Sequence, residues 1–256
     1  MKDIFDLTGK VALVTGGGTG LGREFAVALC NRGARVILAA RRKEKLQDTV
    51  DYLTEQGWQA TSVCMDVCDP ASVEQAFADT AAFGVPDIIV NNAGILAEPN
   101  LLDLEADEWD QVMATNLKGA WLVAKAGVQA MIKADKKGGS IINIASIMSV
   151  CAQKGTGPYA ASKAGLVQLT KTMALEWARF GVRVNSIAPG YYSSDMADEY
   201  LATELGKAML RRIPMRRLGD GIDLHGPLLL LASDASAYMT GSVITADGGH
   251  SMPMTN

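Results

Sequence analysis

Short apolar runs alternate along this chain with longer amphipathic stretches. The runs consist mostly of Val, Ile, Leu and Ala, without the polar alternation of a strand that has one wet face. Such runs are typical of strands buried on both faces, as in a parallel sheet covered by helices. The pattern predicts seven strands, over residues 11–14, 35–39, 60–65, 87–90, 140–145, 183–187 and 243–245.

Helical patterns fill the intervals between these runs. Glycines end two of them and Asp69-Pro70 opens a third, as expected of C-cap and N-terminal residues. Right-handed crossovers then give one α/β domain, residues 1–256, with a doubly wound Rossmann-type sheet. The stretch 191–218 is helical in character and contains no strand, so it is predicted to be a substrate lid. The main helices are predicted over 21–32, 43–56, 70–83, 107–133 and 158–180.

Composition narrows the class of protein further. The chain has 24 Lys+Arg against 28 Asp+Glu, a net charge of −4, which disfavours nucleic acid as a partner. No apolar run approaches the roughly 18 residues of a membrane span, and the acidic start is unlike a secretory signal, so we expect a cytoplasmic location. Four cysteines and two distant histidines lack zinc-site spacing, so we expect reduced thiols and no metal.

A glycine-rich turn follows the first strand and leads into a helix. This context is the one required of a dinucleotide-binding loop, in which backbone N–H groups at a helix N-terminus bind the pyrophosphate. A purely structural loop is the alternative. The residues expected to approach the cofactor are Gly16, Gly18, Thr19, Gly20 and Leu21.

The ends of the next three strands suggest the rest of the cofactor site. The second strand is followed by Arg41-Arg42-Lys43 without the carboxylate that an NAD site would place there, so NADP(H) is favoured over NAD(H), Arg41 being the proposed 2′-phosphate ligand. The alternative is a solvated, charged helix start. Further contacts are expected from Asp66 and Val67 at the adenine, and from Asn92, Ala93 and Gly94.

Tyr159 and Lys163 are four residues apart in a predicted helix and therefore lie on the same face. A lysine ammonium beside a phenol lowers the phenol pKa from about 10, which suits Tyr159 to general acid/base chemistry on an alcohol or ketone. Ser146, just after the fifth strand, is placed to hold the substrate oxygen. A Tyr-Lys pair at this spacing is also common by chance.

Taken in order, these motifs resemble the classical short-chain dehydrogenase/reductase family, and the resemblance spans essentially the whole chain. The matching segments are the glycine motif at 15–22, Asn-Asn-Ala-Gly at 91–94, Asn116 within 115–119, Ser146, Tyr159 with Lys163, Pro189-Gly190, and Asp-Gly-Gly at 247–249.

The resemblance implies a mechanism. Hydride would pass between nicotinamide and a carbonyl carbon, Tyr159 would protonate the oxygen, and Ser146 would stabilise its charge. Lys163 would bind the nicotinamide ribose and Asn116 would hold a water of the proton relay. Pro189, Gly190 and Ser194 would contact the nicotinamide end, Ser194 in place of the family's threonine. The family also implies a homotetramer, formed through the helices at 107–133 and 158–180.

The finer resemblance is to gluconate 5-dehydrogenases, with 3-oxoacyl-acyl-carrier-protein reductases as neighbours. A sugar acid, a β-ketoacyl thioester and an aryl or alkyl ketone all stay open as substrates. Arginines 211, 212, 216 and 217 either meet an anionic substrate or acyl carrier, or cap helices and bind carboxylates on the partner subunit. A non-catalytic dinucleotide-binding sensor or scaffold is the alternative function, disfavoured because every catalytic residue type is present.

Overall fold

Seven strands form one parallel sheet in the computed structural model, which describes residues 3–97, 99–193 and 203–252. The strand order is 3-2-1-4-5-6-7, and every neighbouring pair is parallel. The doubly wound α/β prediction is therefore confirmed. The strands are β1 Val11–Thr15, β2 Arg35–Ala40, β3 Ala60–Cys64, β4 Ile88–Asn91, β5 Gly139–Ile144, β6 Val182–Pro189 and β7 Val243–Ala246.

Helices cover both faces of the sheet and create two separate apolar cores. The core on one face includes Phe25, Leu29, Leu228 and Leu231. The core on the other face includes Val123. The central strands are thus buried on both sides, as their composition predicts. The helices are α1 Gly20–Asn31, α2 Lys43–Glu55, α3 Pro70–Asp79, α4 Ala106–Met113, α5 Ala120–Lys133, α6 Gly157–Trp177, α7 Glu204–Arg212 and α8 His225–Ala232.

The helix predicted over 107–133 is not continuous. A π-helical turn, Ala114–Gly119, separates α4 from α5. Gly119 lies in this turn against Val67, where a Cβ atom would come within 2.8 Å of the valine side chain. π-Helical turns often mark functional sites, because they displace side chains from the regular helical register. This one contains Asn116.

The chain reverses its direction of winding between β1 and β4, and this switch point opens a crevice beyond the carboxyl ends of the strands. Buried amides join the neighbouring elements there. Asn91 Nδ2 donates to Asn143 Oδ1 at 2.9 Å and to the Ala120 carbonyl at 3.0 Å, and Asn143 Nδ2 donates to Thr170 Oγ1 at 2.8 Å. The crevice therefore has a rigid floor.

The predicted lid, 191–218, is described only in part. Helix α7 lies within the predicted lid. Near the start of the lid, Tyr192 forms a parallel β-bridge with Gly219, the residue that follows the lid. Residues 194–202, and with them the predicted ligand Ser194, lie outside the described residues. Within the described ranges, no helix is both long and apolar enough to cross a membrane.

Candidate active site

The glycine loop packs so closely that side chains are excluded from it. A Cβ atom on Gly22 would lie 2.1 Å from the Gly16 carbonyl oxygen, and one on Gly16 would lie 2.9 Å from Asn92 Nδ2. Gly16 also has φ +65°, a conformation that favours glycine. The loop's compactness brings the N-terminus of α1 to the carboxyl end of β1, the position in which a helix dipole and free N–H groups favour an anion.

Thr15 and Asn92 hold this loop against the end of β4. Thr15 Oγ1 accepts hydrogen bonds from the backbone N–H groups of Asn92 and Ala93, both at 3.0 Å. In return Asn92 Nδ2 donates to the Thr15 carbonyl at 3.0 Å. The asparagines thus tie strand ends together.

Two adjoining cavities open at this end of the sheet, and the predicted site residues line them. The central cavity, of about 870 Å³, includes Gly18, Thr19, Gly20, Leu21, Asn92, Gly94, Ser146, Tyr159, Lys163, Pro189 and Gly190. The Arg41 cavity, of about 460 Å³, includes Gly16, Gly18, Thr19, Leu21, Arg41, Asp66, Val67, Asn92, Ala93 and Gly94.

Ser146 and Tyr159 meet where the central cavity reaches the end of β5. Ser146 caps a 3₁₀ turn, accepting a hydrogen bond from Met148 N at 3.1 Å, and its side chain lines the cavity together with Tyr159. Burial raises the pKa of the Tyr159 phenol, and the hydrogen bond from Ser146 acts in the opposite direction. The two hydroxyls therefore form one unit at the cavity wall.

Lys163 lies directly beneath this unit. Its Nζ atom donates to the Ile144 carbonyl at 2.7 Å and lies 5.6 Å from the centre of the Tyr159 ring. Complete burial lowers the pKa of the lysine ammonium to about 8. The spacing of Tyr159 and Lys163 predicts a lowered phenol pKa, whereas in the structure burial outweighs other influences and that pKa is raised. The predicted direction is wrong because sequence spacing carries no information on desolvation.

Asn116 lies behind the cavity wall rather than in it. Its Oδ1 atom accepts from Ile95 N at 2.8 Å, while Nδ2 donates to the Ile95 carbonyl at 2.9 Å and to Ser162 Oγ at 3.1 Å. Ser162 Oγ in turn donates to the Tyr159 carbonyl at 2.7 Å. Sequence reasoning missed Ser162, although its position between Tyr159 and Lys163 on α6 is a signal that was available.

Known proteins resemble this chain over almost its whole length. The family profile described as enoyl-(acyl carrier protein) reductase matches residues 16–251. A 3-oxoacyl-acyl-carrier-protein reductase of Vibrio cholerae is 40% identical over 95% of this chain and 98% of its own. The crystal structure of a short-chain type dehydrogenase/reductase from Mycobacterium marinum has a TM-score of 0.92 at 38% identity, covering 98% of this chain and 99% of that one.

The chain belongs to the short-chain dehydrogenase/reductase family. It is accordingly an NAD(P)-dependent oxidoreductase. A further solved member is a gluconate 5-dehydrogenase from Burkholderia cenocepacia in complex with NADP and tartrate, with a TM-score of 0.93 at 35% identity, over 98% of this chain and 99% of that one. The predicted resemblance to both enzyme groups is confirmed.

The site of this dehydrogenase/reductase fits a nicotinamide dinucleotide. The two cavities share Gly18, Thr19 and Asn92, so they form one groove across the switch point. Gly94 forms part of its wall, where a Cβ atom would lie 3.3 Å from Asn116 Oδ1 and 3.5 Å from Lys163 Nζ. A backbone without side chains beside the lysine leaves room for a flat ring and a ribose.

The arginines near the lid of this dehydrogenase/reductase have partners within the chain. Arg217 binds the Asp223 carboxylate through two hydrogen bonds, at 2.5 and 3.0 Å, and Arg216 donates to the Arg211 carbonyl at the end of α7. The carboxylate that Arg217 binds thus belongs to the same chain and not to a partner subunit, while Arg216 caps a helix as expected.

Two further residues near the reaction centre were missed from the sequence. The Tyr191 hydroxyl donates to Gln153 Oε1, and the Tyr191 ring lies 5.2 Å from the His250 ring, centre to centre. Tyr191 lines the central cavity. Gln153 and His250 have no local sequence signal, because only the fold brings the loop after β5 and the C-terminal segment together.

Proposed function

We propose that this protein is an NADP(H)-dependent oxidoreductase that interconverts a ketone and a secondary alcohol, with Tyr159 as the general acid/base. The observation that carries the proposal is that Ser146, Tyr159 and Lys163 lie together in the cavity that the glycine loop also lines. Two hydroxyl groups and a buried lysine beside a dinucleotide groove form the arrangement that carbonyl reduction requires.

When bound, the reduced nicotinamide supplies the hydride that adds to the carbonyl carbon. Tyr159 donates its phenolic proton to the carbonyl oxygen as charge develops there, and accepts it back during alcohol oxidation. Ser146 donates a hydrogen bond to the same oxygen, which stabilises the charge in the transition state. Lys163 holds the nicotinamide ribose, and Asn116 holds a water through which the proton on Tyr159 is replaced by way of Lys163.

Arg41 supports the choice of NADP(H) over NAD(H). Its side chain is exposed at the end of β2 and lines the Arg41 cavity, to which Arg42 and Lys45 add further positive charge. A guanidinium binds a phosphate through two parallel hydrogen bonds. The residues proposed to hold the cofactor are Gly16, Gly18, Thr19, Gly20, Leu21, Arg41, Asp66, Val67, Asn92, Ala93, Gly94, Tyr159, Lys163, Pro189, Gly190 and Ser194.

The same proposal extends to organisation. The chain acts as one domain over residues 1–256, with 191–218 as the substrate lid, and works in the cytoplasm as a homotetramer joined through α4, α5 and α6. The continuous seven-stranded sheet supports the single domain. Exposed apolar side chains on these helices support the assembly, and Leu175 of α6 is 82% exposed.

Replacement of Tyr159 tests the catalytic role. Tyr159→Phe removes the proton donor while keeping the ring, so kcat for NADPH-dependent ketone reduction should fall by about 10²–10⁴-fold, the usual contribution of a positioned acid/base. Kinetics would be followed by NADPH absorbance, and NADPH binding by the quenching of tryptophan fluorescence. The affinity for NADPH should change little.

Tyr238→Phe is the matched control, because Tyr238 is fully exposed and should tolerate the change without effect. An active Tyr159→Phe protein would remove Tyr159 from the mechanism. A wild-type protein that binds NADPH yet reduces nothing in a broad carbonyl panel would favour the non-catalytic sensor or scaffold instead.

A further inference from the structure

The wall of the central cavity next to Ser146 and Tyr159 carries no charge among the described residues. We call this wall the substrate rim and define it as Ile95, Leu96, Tyr191 and Tyr192. Leu96 is 50% exposed, so an apolar surface faces whatever enters. Gln153, hydrogen-bonded to Tyr191, adds a neutral amide. The rim is therefore apolar and aromatic, with neutral hydrogen-bonding groups only.

The cations of the central cavity lie elsewhere. Arg23 and Lys45 belong to α1 and α2, and the Arg23 guanidinium lies 4.2 Å above the Tyr52 ring of α2. In the sheet, β5 is separated from β1 by β4, about 10 Å at the usual strand spacing, and from β2 by more. These two cations therefore serve the dinucleotide end of the groove. The third, Lys163, is buried and bound to the Ile144 carbonyl.

Arg217 is a further cation near the two tyrosines, while the His250 ring, which packs on Tyr191, lines none of the three cavities. Arg217 lines a small pocket of about 200 Å³ that Tyr191 and Tyr192 also border. Its two hydrogen bonds to Asp223 hold the pKa of that carboxyl down at about 2. The pair is thus matched in charge, and an anionic substrate would have to displace Asp223 to use the arginine.

The loop after β4 and the segment after Tyr192 add only negative charge, and Lys154, next to Gln153, is exposed and lines none of the three cavities. From Gly94 to Leu117 the chain contains no Lys, Arg or His, and its two acids nearest Leu96 are Glu98 and Asp103. Residues 194–202, outside the described part, contain Asp195, Asp198 and Glu199 and again no Lys, Arg or His. Wherever those nine residues lie, they cannot supply a cation to the substrate.

We infer that the substrate is an uncharged carbonyl compound, without a carboxylate or phosphate close to the reacting carbon. The inference rests on the proposed function and specifies its substrate class. A carboxylate entering this end of the cavity loses hydration and gains no opposite charge in return, which is unfavourable. The substrate class therefore excludes the sugar acid, whereas a β-ketoacyl thioester, which is neutral around its reacting carbon, belongs to it.

A pair of ketones that share one reacting group tests the inference. Ethyl benzoylformate is neutral and benzoylformate is its carboxylate, and both would be assayed by NADPH oxidation with the wild-type protein. The kcat/KM for the ester should exceed that for the acid by at least about tenfold, which corresponds to an unfavourable interaction near 1.4 kcal/mol. A second pair, ethyl acetoacetate and acetoacetate, should show the same order.

Leu96→Lys places a cation on the rim and should lower the ester-to-acid ratio of kcat/KM several-fold, because only the carboxylate gains an opposite charge. Leu102→Lys is the matched control, because Leu102 is 99% exposed and lies outside the cavities, so it alters net charge equally without altering the rim. Its ester-to-acid ratio should equal that of the wild type.

The outcomes separate this inference from the proposed function. A preference for either carboxylate, or turnover of 5-ketogluconate with no turnover of any neutral ketone, would overturn the neutral substrate while leaving the oxidoreductase standing. An equal response to Leu96→Lys and Leu102→Lys would also overturn it. Failure to oxidise NADPH with any carbonyl, in a protein shown to bind NADPH, would instead overturn the proposed function.

Discussion

At the scale of single residues, the local distribution of charge indicates a phosphate-binding site that the net charge of the chain does not. The net charge of −4 would give no reason to expect a phosphate ligand, yet Arg41 and Arg42 lie side by side on the Arg41 cavity. The only carboxylate of that cavity is Asp66 among its described lining residues, and its side chain accepts a hydrogen bond from Cys68 N at 2.9 Å. The positive charge at this point is therefore available to a ligand.

Arg41→Asp should exchange the cofactor preference. A carboxylate in place of the guanidinium repels the 2′-phosphate and suits the ribose hydroxyls, so the Kd for NADPH should rise by about 10–100-fold. The Kd for NADH should stay the same or fall. Both constants would be measured by fluorescence titration of the purified protein.

Lys43→Asp provides the matched control for that exchange, since it makes the same change in charge at an exposed position that lines neither cavity. Its effect on NADPH should be small and should vanish in high salt. If Arg41→Asp weakens both cofactors equally, Arg41 does not bind the 2′-phosphate.

At the scale of elements, Asn116 joins three parts of the fold. It belongs to the π-helical turn, bonds both backbone polar groups of Ile95 after β4, and reaches Ser162 on α6. Because α6 also carries Tyr159 and Lys163, this one amide fixes the catalytic helix relative to the strand end beside the cofactor groove. Asn116 is 1% exposed, so water cannot replace its bonds.

Asn116→Ala should lower the free energy of unfolding by roughly 1–3 kcal/mol, because it removes the partners of the part-buried Ile95 N–H and carbonyl groups. Reductase activity should fall as well, since α6 loses its anchor. Ser162→Ala is the graded comparison: it breaks the link from Asn116 to α6 and the bond to the Tyr159 carbonyl but leaves both bonds to Ile95, and it should cost about 1 kcal/mol. Urea unfolding followed by circular dichroism measures both, and equal losses for the two variants would contradict the proposed anchoring.

The sequence predicts elements better than it predicts their interruptions. All seven strands are found within a few residues of their predicted limits, because runs of Val, Ile and Leu have few other stable environments. The break at Ala114–Gly119 is not predicted, since the helical pattern continues through it and only the contact of Gly119 with Val67 requires a wider turn. The helix predicted to run to 83 ends at Asp79, where Thr80 Oγ1 bonds the Ala76 carbonyl.

The candidate site likewise contains residues that sequence spacing predicts and residues that only the fold brings together. Gly16, Tyr159 and Lys163 are found from spacing and order, because short-range geometry determines their function. Gln153 and His250 converge on Tyr191 only through the fold. The direction of the Tyr159 pKa shift likewise depends on burial, which no local pattern reports.

At the scale of the whole molecule, three adjoining helices carry large apolar side chains that are exposed. Trp109 of α4 and Trp121 of α5 are each 37% exposed, and Leu175 of α6 is 82% exposed. Large apolar groups on neighbouring helices form the kind of surface that protein–protein interfaces bury. These are the helices proposed to join the subunits of the tetramer.

Leu175→Glu should therefore weaken the assembly. Wild-type protein should sediment at four times the chain mass of 27.1 kDa, whereas the variant should shift to smaller species at micromolar concentration, because a carboxylate at a buried interface loses its hydration without a partner. Gln47→Glu on α2 adds the same charge to an exposed helix on the opposite side of the sheet order and should leave the mass unchanged. Sedimentation equilibrium on both variants decides the matter. A wild-type monomer would show that these apolar side chains serve a purpose other than assembly. A Leu175→Glu protein that stays tetrameric would show that the subunits associate through a different face.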